Sequence, residues 1–163
     1  MASEIAHFNA TTIIDLSDIN INTVTVNVTG QGDYEYSIDS GAFQSSNVFH
    51  NVPAGIHEIA VKDNHGCGIA TQTISVIGGP PYFTPNGDSW NDTWNIKGTS
   101  QSFNYNSTIY IYDRYGKLLK QIYAKGNGWD GTLDGQPLPA TDYWYVLYLE
   151  DGRIAKGHFS LIR

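Results

Sequence analysis

Short runs of alternating polar and apolar residues, each cut off by Gly, Pro, Asn or Asp, dominate this chain and point to β-structure. Ile21-Asn22-Thr23-Val24-Thr25-Val26-Asn27-Val28 alternates in this way and stops at Gly30-Gln31-Gly32. Asp33 to Ile38 repeats the pattern before a turn at Asp39-Ser40-Gly41, with Tyr34, Tyr36 and Ile38 on one face. Ile56 to Val61 and Ile69 to Ile77 follow, separated by the turn-rich Asp63-Asn64-His65-Gly66. In the second half, Ser107 to Tyr112 and Lys117 to Tyr123 flank Asp113-Arg114-Tyr115-Gly116 and read as a hairpin. Tyr143 to Leu149 is apolar on both faces, as a central strand would be, and Ile154 to Ile162 alternates again. Turns at intervals of about 8–12 residues, with no helical run, predict an all-β fold of two small Ig-like β-sandwich domains in tandem.

Charge marks where the two would meet. Residues 1–79 hold one lysine and eight acidic residues, so they carry the whole formal charge of −7. Residues 80–163 are balanced. The change falls at Gly78-Gly79-Pro80-Pro81, a flexible and then stiff tetrad typical of a boundary, which predicts domains over 8–78 and 80–163. An acidic chain without Lys/Arg clusters is unsuited to nucleic acid, whose phosphates need concentrated positive charge. No apolar run approaches the roughly 20 residues needed to span a bilayer, so no membrane insertion of its own is expected. Ser3-Glu4-Ile5 opens onto polar residues and shows no signal peptide. The single Cys67 excludes an intrachain disulfide and reads as a small buried residue.

Catalytic constellations are not apparent. The five histidines, His7, His50, His57, His65 and His158, lack ligand spacing, and His57 and His158 are expected at solvated or edge positions of strands. Asp130 and Asp134 each precede Gly in a turn, where Asp is favoured for its backbone geometry. No serine occupies a nucleophile elbow, and no glycine loop opens a helix. The expectation is a protein that is not an enzyme.

Tyr82-Phe83-Thr84-Pro85-Asn86-Gly87-Asp88-Ser89-Trp90-Asn91-Asp92-Thr93-Trp94 combines turn formers with aromatic anchors as ordinary loops do not. With Ile109 to Gly116, Trp129-Asp130-Gly131, Gly135 to Ala140, Asp142 to Tyr145 and Lys156 to Arg163, it resembles the type B C-terminal sorting domain of type IX secretion substrates. This domain is also called the gliding-motility-associated C-terminal domain. The family usually shows Gly and an aliphatic residue where this chain has Ser89 and Trp90, and often Trp in place of Tyr115. Tyr34 to Ser37, Phe43, Phe49, Pro53 to Gly55, Val61 to Asp63 and Gly66-Cys67 resemble the Ig-like repeat of SprB-type gliding adhesins, which often holds a second Cys that is missing here. These resemblances imply the tail of a cell-surface adhesin, exported through periplasm and outer membrane. They further imply a PorP/SprF-like outer-membrane partner. The alternative is an adhesive module gripping polysaccharide or protein.

Candidate contacts for the secretion partner are Trp90 at its loop tip and Arg153, Lys156 and Arg163 along the last strand. Lys156 to Arg163 is read as a free edge open to strand addition. Asn86, Asp88, Asn91 and Asp92 offer four side-chain oxygens within seven residues, so calcium is considered. Asn and Asp also build turns by bonding their own backbone, and that structural reading is preferred, with no cofactor. Trp90, Trp94, Trp129, Trp144 and the Tyr143–Tyr148 run would suit either a sugar platform or a core. A small domain needs large buried residues, so Trp94, Trp129 and Trp144 are read as core and Trp90 as exposed.

Overall fold

The computed structural model describes residues 2–16 and 21–163, and every regular element in them is a strand. Residues 17–20, within the first expected domain, lie outside the described residues. The first half holds β1 (His7–Phe8), β2 (Thr12–Ile14), β3 (Asn22–Thr25), β4 (Val28–Thr29), β5 (Tyr34–Ile38), β6 (Val48–Val52), β7 (Gly55–Asp63) and β8 (Ile69–Val76). The second holds β9 (Tyr82–Phe83), β10 (Thr108–Tyr112), β11 (Leu118–Tyr123), β12 (Thr132–Leu133), β13 (Gln136–Pro137), β14 (Asp142–Tyr148) and β15 (Ile154–Leu161).

In the first half, sheets ordered β2-β3-β6 and β5-β7-β8 provide two layers. Their inward positions, at every second residue, form a largely aliphatic core: Val24 and Val26, Phe49 and Val52, Ile59 and Val61, Ile74 and Val76. In the second half one five-stranded sheet, ordered β11-β10-β14-β15-β9, faces a layer made mainly of loops. Phe83, Trp94, Trp129, Tyr143, Tyr145 and Phe159 fill the space between, with Trp94 stacked on Phe159 at 4.0 Å between ring centroids. Trp94 and Trp129 exchange backbone hydrogen bonds of 2.9 Å across an isolated bridge, so two loops are clipped together under the sheet. Each indole N–H also finds a carbonyl, Pro80 at 2.8 Å and Thr132 at 2.9 Å, which satisfies the polar end of a buried ring. Gly157 lies opposite Tyr145 in the β14–β15 pair, and a Cβ there would stand 2.6 Å from the Tyr145 hydroxyl oxygen. The missing side chain lets that ring lie against the backbone.

The two cores separate between Val76 and Ile77, beside the expected boundary. The halves are nonetheless joined by more than the chain. Asp15, with a side chain only 2% exposed, accepts the Ile77 N–H at 2.7 Å and pairs with Arg153 Nη1 at 2.9 Å. Leu16, held at a φ of 74°, donates its N–H to the Ile77 carbonyl and packs on the second core. Ser75 Oγ donates to the Gly98 carbonyl at 2.6 Å.

Several sequence expectations are corrected. Trp144 is on the open face of the sheet, 41% exposed, because Tyr143, Tyr145 and Leu147 take the inward phase of β14. The strand is central, as expected, but only one of its faces is covered. His57 is buried and not solvated, since it shares the inward phase of Ile59 and Val61. Its ring nitrogens meet the Asp39 carboxylate and, at 2.7 Å, the Pro53 carbonyl. Cys67 is exposed because it sits in the turn after β7, where its Sγ reaches the Ser3 carbonyl at 2.9 Å. The last strand is not a free edge throughout. β9 pairs parallel to it at Ser160 and Leu161, which leaves only the stretch before Ser160 unpaired on that side among the described residues.

Candidate functional site

Two exposed features of the second half are built with more care than a surface needs. The first is the loop between β9 and Trp94. Asp92 lies at its centre: Oδ1 accepts the N–H groups of Gly87 at 2.8 Å and Asn86 at 2.9 Å, and Oδ2 accepts that of Ser89 at 2.8 Å. These converging dipoles form a nest for an anion that the chain itself supplies. The Gly87 donor most of all, with Ser89 and Asn86, outweighs partial desolvation and holds the Asp92 carboxyl below the usual range. Asn86 Oδ1 accepts from Asp88 N–H at 3.0 Å, and Asp88 Oδ1 accepts from Trp90 N–H at 2.8 Å, two consecutive Asx-turns. Gly87, Ser89 and Asn91 all adopt positive φ to make this path. The product is a rigid tip that holds Trp90 79% exposed.

Of the four residues considered for calcium, Asn86, Asp88 and Asp92 aim oxygens at backbone N–H groups, with Asn91 joining through its backbone carbonyl to Thr84 N–H. A cation would have to compete with donors already pointing at those oxygens. Three of the four thus spend side-chain oxygens on the loop's own backbone.

The second feature is the open face of the large sheet. Ile109, Ile111, Leu147 and Phe159 point into the core, so their neighbours point out. Cross-strand pairing sets these outward residues in three rungs. Tyr112, Trp144 and His158 form one, and Tyr110, Val146 and Lys156 the next. Tyr123, Thr108, Tyr148 and Ile154 form the third. Tyr110 and Tyr148 meet edge to face, 5.8 Å between centroids.

The candidate contacts do not cluster. Arg153 precedes β15 and is engaged with Asp15 and Asp151. Arg163 follows the same strand and donates to the Leu138 carbonyl at 3.1 Å. Only Lys156 lies on the open face, and Trp90 stands on its own loop. The Tyr110–Trp144–Tyr148 surface was missed because an unbroken apolar run conceals which alternate residues face outward.

A helix-free module with a complete aromatic core, a rigid presented tip and an uncovered sheet face is a recognition domain in form. The chain belongs to the CHU_C type IX secretion signal domain family, whose model matches residues 77–161. Such a domain directs export to the cell surface or release from the cell. The match begins at the first residue of the aromatic core and ends at its last, Leu161.

No curated protein matches this chain. Among solved structures it is similar to dimeric latent PorU from Porphyromonas gingivalis, with 16% identity, a TM-score of 0.38, and coverage of 96% of this chain and 20% of that one. It is also similar to the BSP domain of a biofilm-associated protein, with 16% identity, a TM-score of 0.35, and coverage of 94% and 29%. A third is Tp47, the 47-kilodalton lipoprotein of Treponema pallidum, with 8% identity, a TM-score of 0.31, and coverage of 97% and 50%. The chain therefore spans half or less of each of these structures.

Proposed function

We propose that the chain is part of an exported, non-catalytic surface adhesin, in which residues 8–78 are an SprB-type Ig-like repeat and residues 80–163 a type B sorting domain. A PorP/SprF-like component of the outer membrane reads the sorting domain in its folded state. The observation that carries this reading is the coincidence of the family match with one self-contained core, Ile77 to Leu161. A transporter that meets a folded module reads its exterior, and here the exterior offers Trp90 and the open sheet face. The Asn/Asp loop is held by its own N–H donors and needs no calcium.

The test is a fluorescent passenger fused ahead of the whole chain in a type IX-competent cell, with a photo-crosslinker placed at Trp90. The passenger should reach the cell surface and cross-link to a PorP/SprF-like protein on the way. Surface display that survives removal of residues 77–163 would refute the reading. Deleting Gly157–Arg163 alone is a poorer test, because it removes the buried Phe159 and Leu161 and with them the fold.

A further inference from the structure

The geometry points to the open face of the β10–β14–β15 sheet as the surface on which the secretion partner docks. The partner surface it fits is a protein face with apolar groups and at least one carboxylate opposite Lys156. This inference rests on the sorting function proposed above and names the surface that serves it.

Three observations converge. The first is where exposed aromatic area lies. All six aromatic side chains among the largest exposed apolar residues belong to the second half, and Trp144, Tyr148 and Tyr123 share this one face. Strands stand about 4.8 Å apart and outward rungs about 6.8 Å, so four strands and three rungs with their side chains span several hundred Å². Contiguous apolar patches of that size on a soluble domain usually mark a contact site. Tyr and Trp are also the residues that dominate binding energy when an interface closes over them.

The second observation is charge. The three rungs carry Lys156 and His158 and no carboxylate. A shallow groove of about 460 Å³ at the Trp144 end is lined by Arg114, Lys156 and His158, together with Tyr112. Its one acidic residue, Asp113, has Oδ1 engaged by the N–H groups of Tyr115 and Lys117. Among the described residues no carboxylate lies within ion-pair distance of Arg114 or Lys156. An aromatic face whose rungs carry Lys156 and no carboxylate is complementary to an acidic partner surface.

The third is that nothing among the described residues covers the face. The first half reaches the second through Asp15, Leu16 and Ser75, whose hydrogen bonds go to Ile77, Arg153 and Gly98 and not to rung residues, and Ile154 stays 59% exposed beside the Arg153 junction.

The experiment exports the passenger fused to the full chain as wild type, as the triple variant Y110S/W144S/Y148S, as K156E, and without residues 77–163. Thermal melts of the purified chains establish that the variants fold. The triple variant should lose surface display by about tenfold or more, accumulate in the periplasm and fail to cross-link from position 112. K156E should lose several-fold while K156R exports normally, and this pair decides the matter if the triple variant melts early. Normal display of folded triple and K156E variants, with export abolished by loss of 77–163, overturns the docking surface and leaves the sorting function standing. Display that survives loss of 77–163 overturns the sorting function itself. Retention of the purified chain on polygalacturonate, or dimerisation in solution, each abolished by the triple variant, would assign the face to an anionic glycan or to a second copy and also overturn the proposal.

Discussion

The two halves of this chain bury their strands by different means. In the first, two three-stranded sheets cover each other, and Val and Ile on alternating positions suffice because each layer supplies half the core. In the second, one large sheet is closed mainly by loops, which have no regular row of side chains to interdigitate. Six buried aromatics fill that gap, two of them, Trp94 and Trp129, delivered from the loops themselves. An aromatic core thus substitutes for a second sheet and leaves the sheet's outer face free. Both halves leave outer sheet faces to solvent, but the large exposed aromatic side chains all lie in the neutral half, as a recognition domain requires.

This contrast breaks most sharply if single core residues are truncated. Trp94→Ala removes the stack on Phe159, the contact with Tyr145 and the Pro80 hydrogen bond, and should cost about 3–5 kcal/mol, enough to unfold the second half on its own. Ile59→Ala in the first half should cost nearer 2 kcal/mol, because small aliphatic neighbours relax into part of the cavity. Urea titrations followed by Trp fluorescence and far-UV circular dichroism would read both. Equal costs would mean that the loops, and not the rings they carry, hold the second layer.

The next largest effect concerns the junction. Asp15→Asn keeps an oxygen for Ile77 N–H but removes the charge that Arg153 meets in a nearly closed site, a loss of roughly 1–3 kcal/mol. Calorimetry should show one transition in the wild type and two in the variant, the halves then melting separately. Two transitions in the wild type would show that the junction does not couple them.

Much of this was legible in the sequence, for identifiable reasons. The Asp113–Gly116 hairpin, the two-residue Asp134-Gly135 turn and the alternation of Ile154 to Ile162 are local patterns with one solution each. Trp144 was not legible, because seven consecutive apolar residues carry no phase and the inward choice is made across the sheet by Gly157 and Phe159. His57 was partly so: its spacing from Ile59 and Val61 puts it inside, but its partner Asp39 lies beyond a turn and another strand. The Asp15–Arg153 pair joins residues 138 positions apart, and no local signal marks it. In the Asn86–Asp92 loop the residue types foretold Asx-turns, while the convergence of three N–H groups on Asp92 emerged only from the folded path.

Acid should find a weak point in each half. Partial burial pushes the Asp39 carboxyl up, but hydrogen bonds from His57 and the Glu58 N–H prevail and hold it below the ordinary value. Asp92 is held low by its nest. A carboxyl whose folded pKa is depressed contributes fully above its unfolded pKa of about 4 and loses that contribution as pH falls through the folded value. Both sites should therefore hold down to about pH 4 and loosen below it. Amide exchange at Gly87 and Ser89 should rise over that range, and Asp92→Asn should raise it already at neutral pH. Flat exchange in both cases would mean that Asp92 does not organise the loop.

The smallest effect is the most local. Ser89 sits at a φ of 67°, a left-handed conformation that strains any residue with a Cβ and that the related sorting domains usually meet with Gly. Ser89→Gly should relieve this at some entropic cost and stabilise the second half by about 0.5–1 kcal/mol. The first half offers the control, since Asn51 at a φ of 54° belongs to a type that tolerates this region, and Asn51→Gly should change little. A melting temperature that falls in Ser89→Gly would mean that the Ser89 side chain contributes to presenting Trp90. The tip would then be a tuned part of the recognition surface instead of a strained connection.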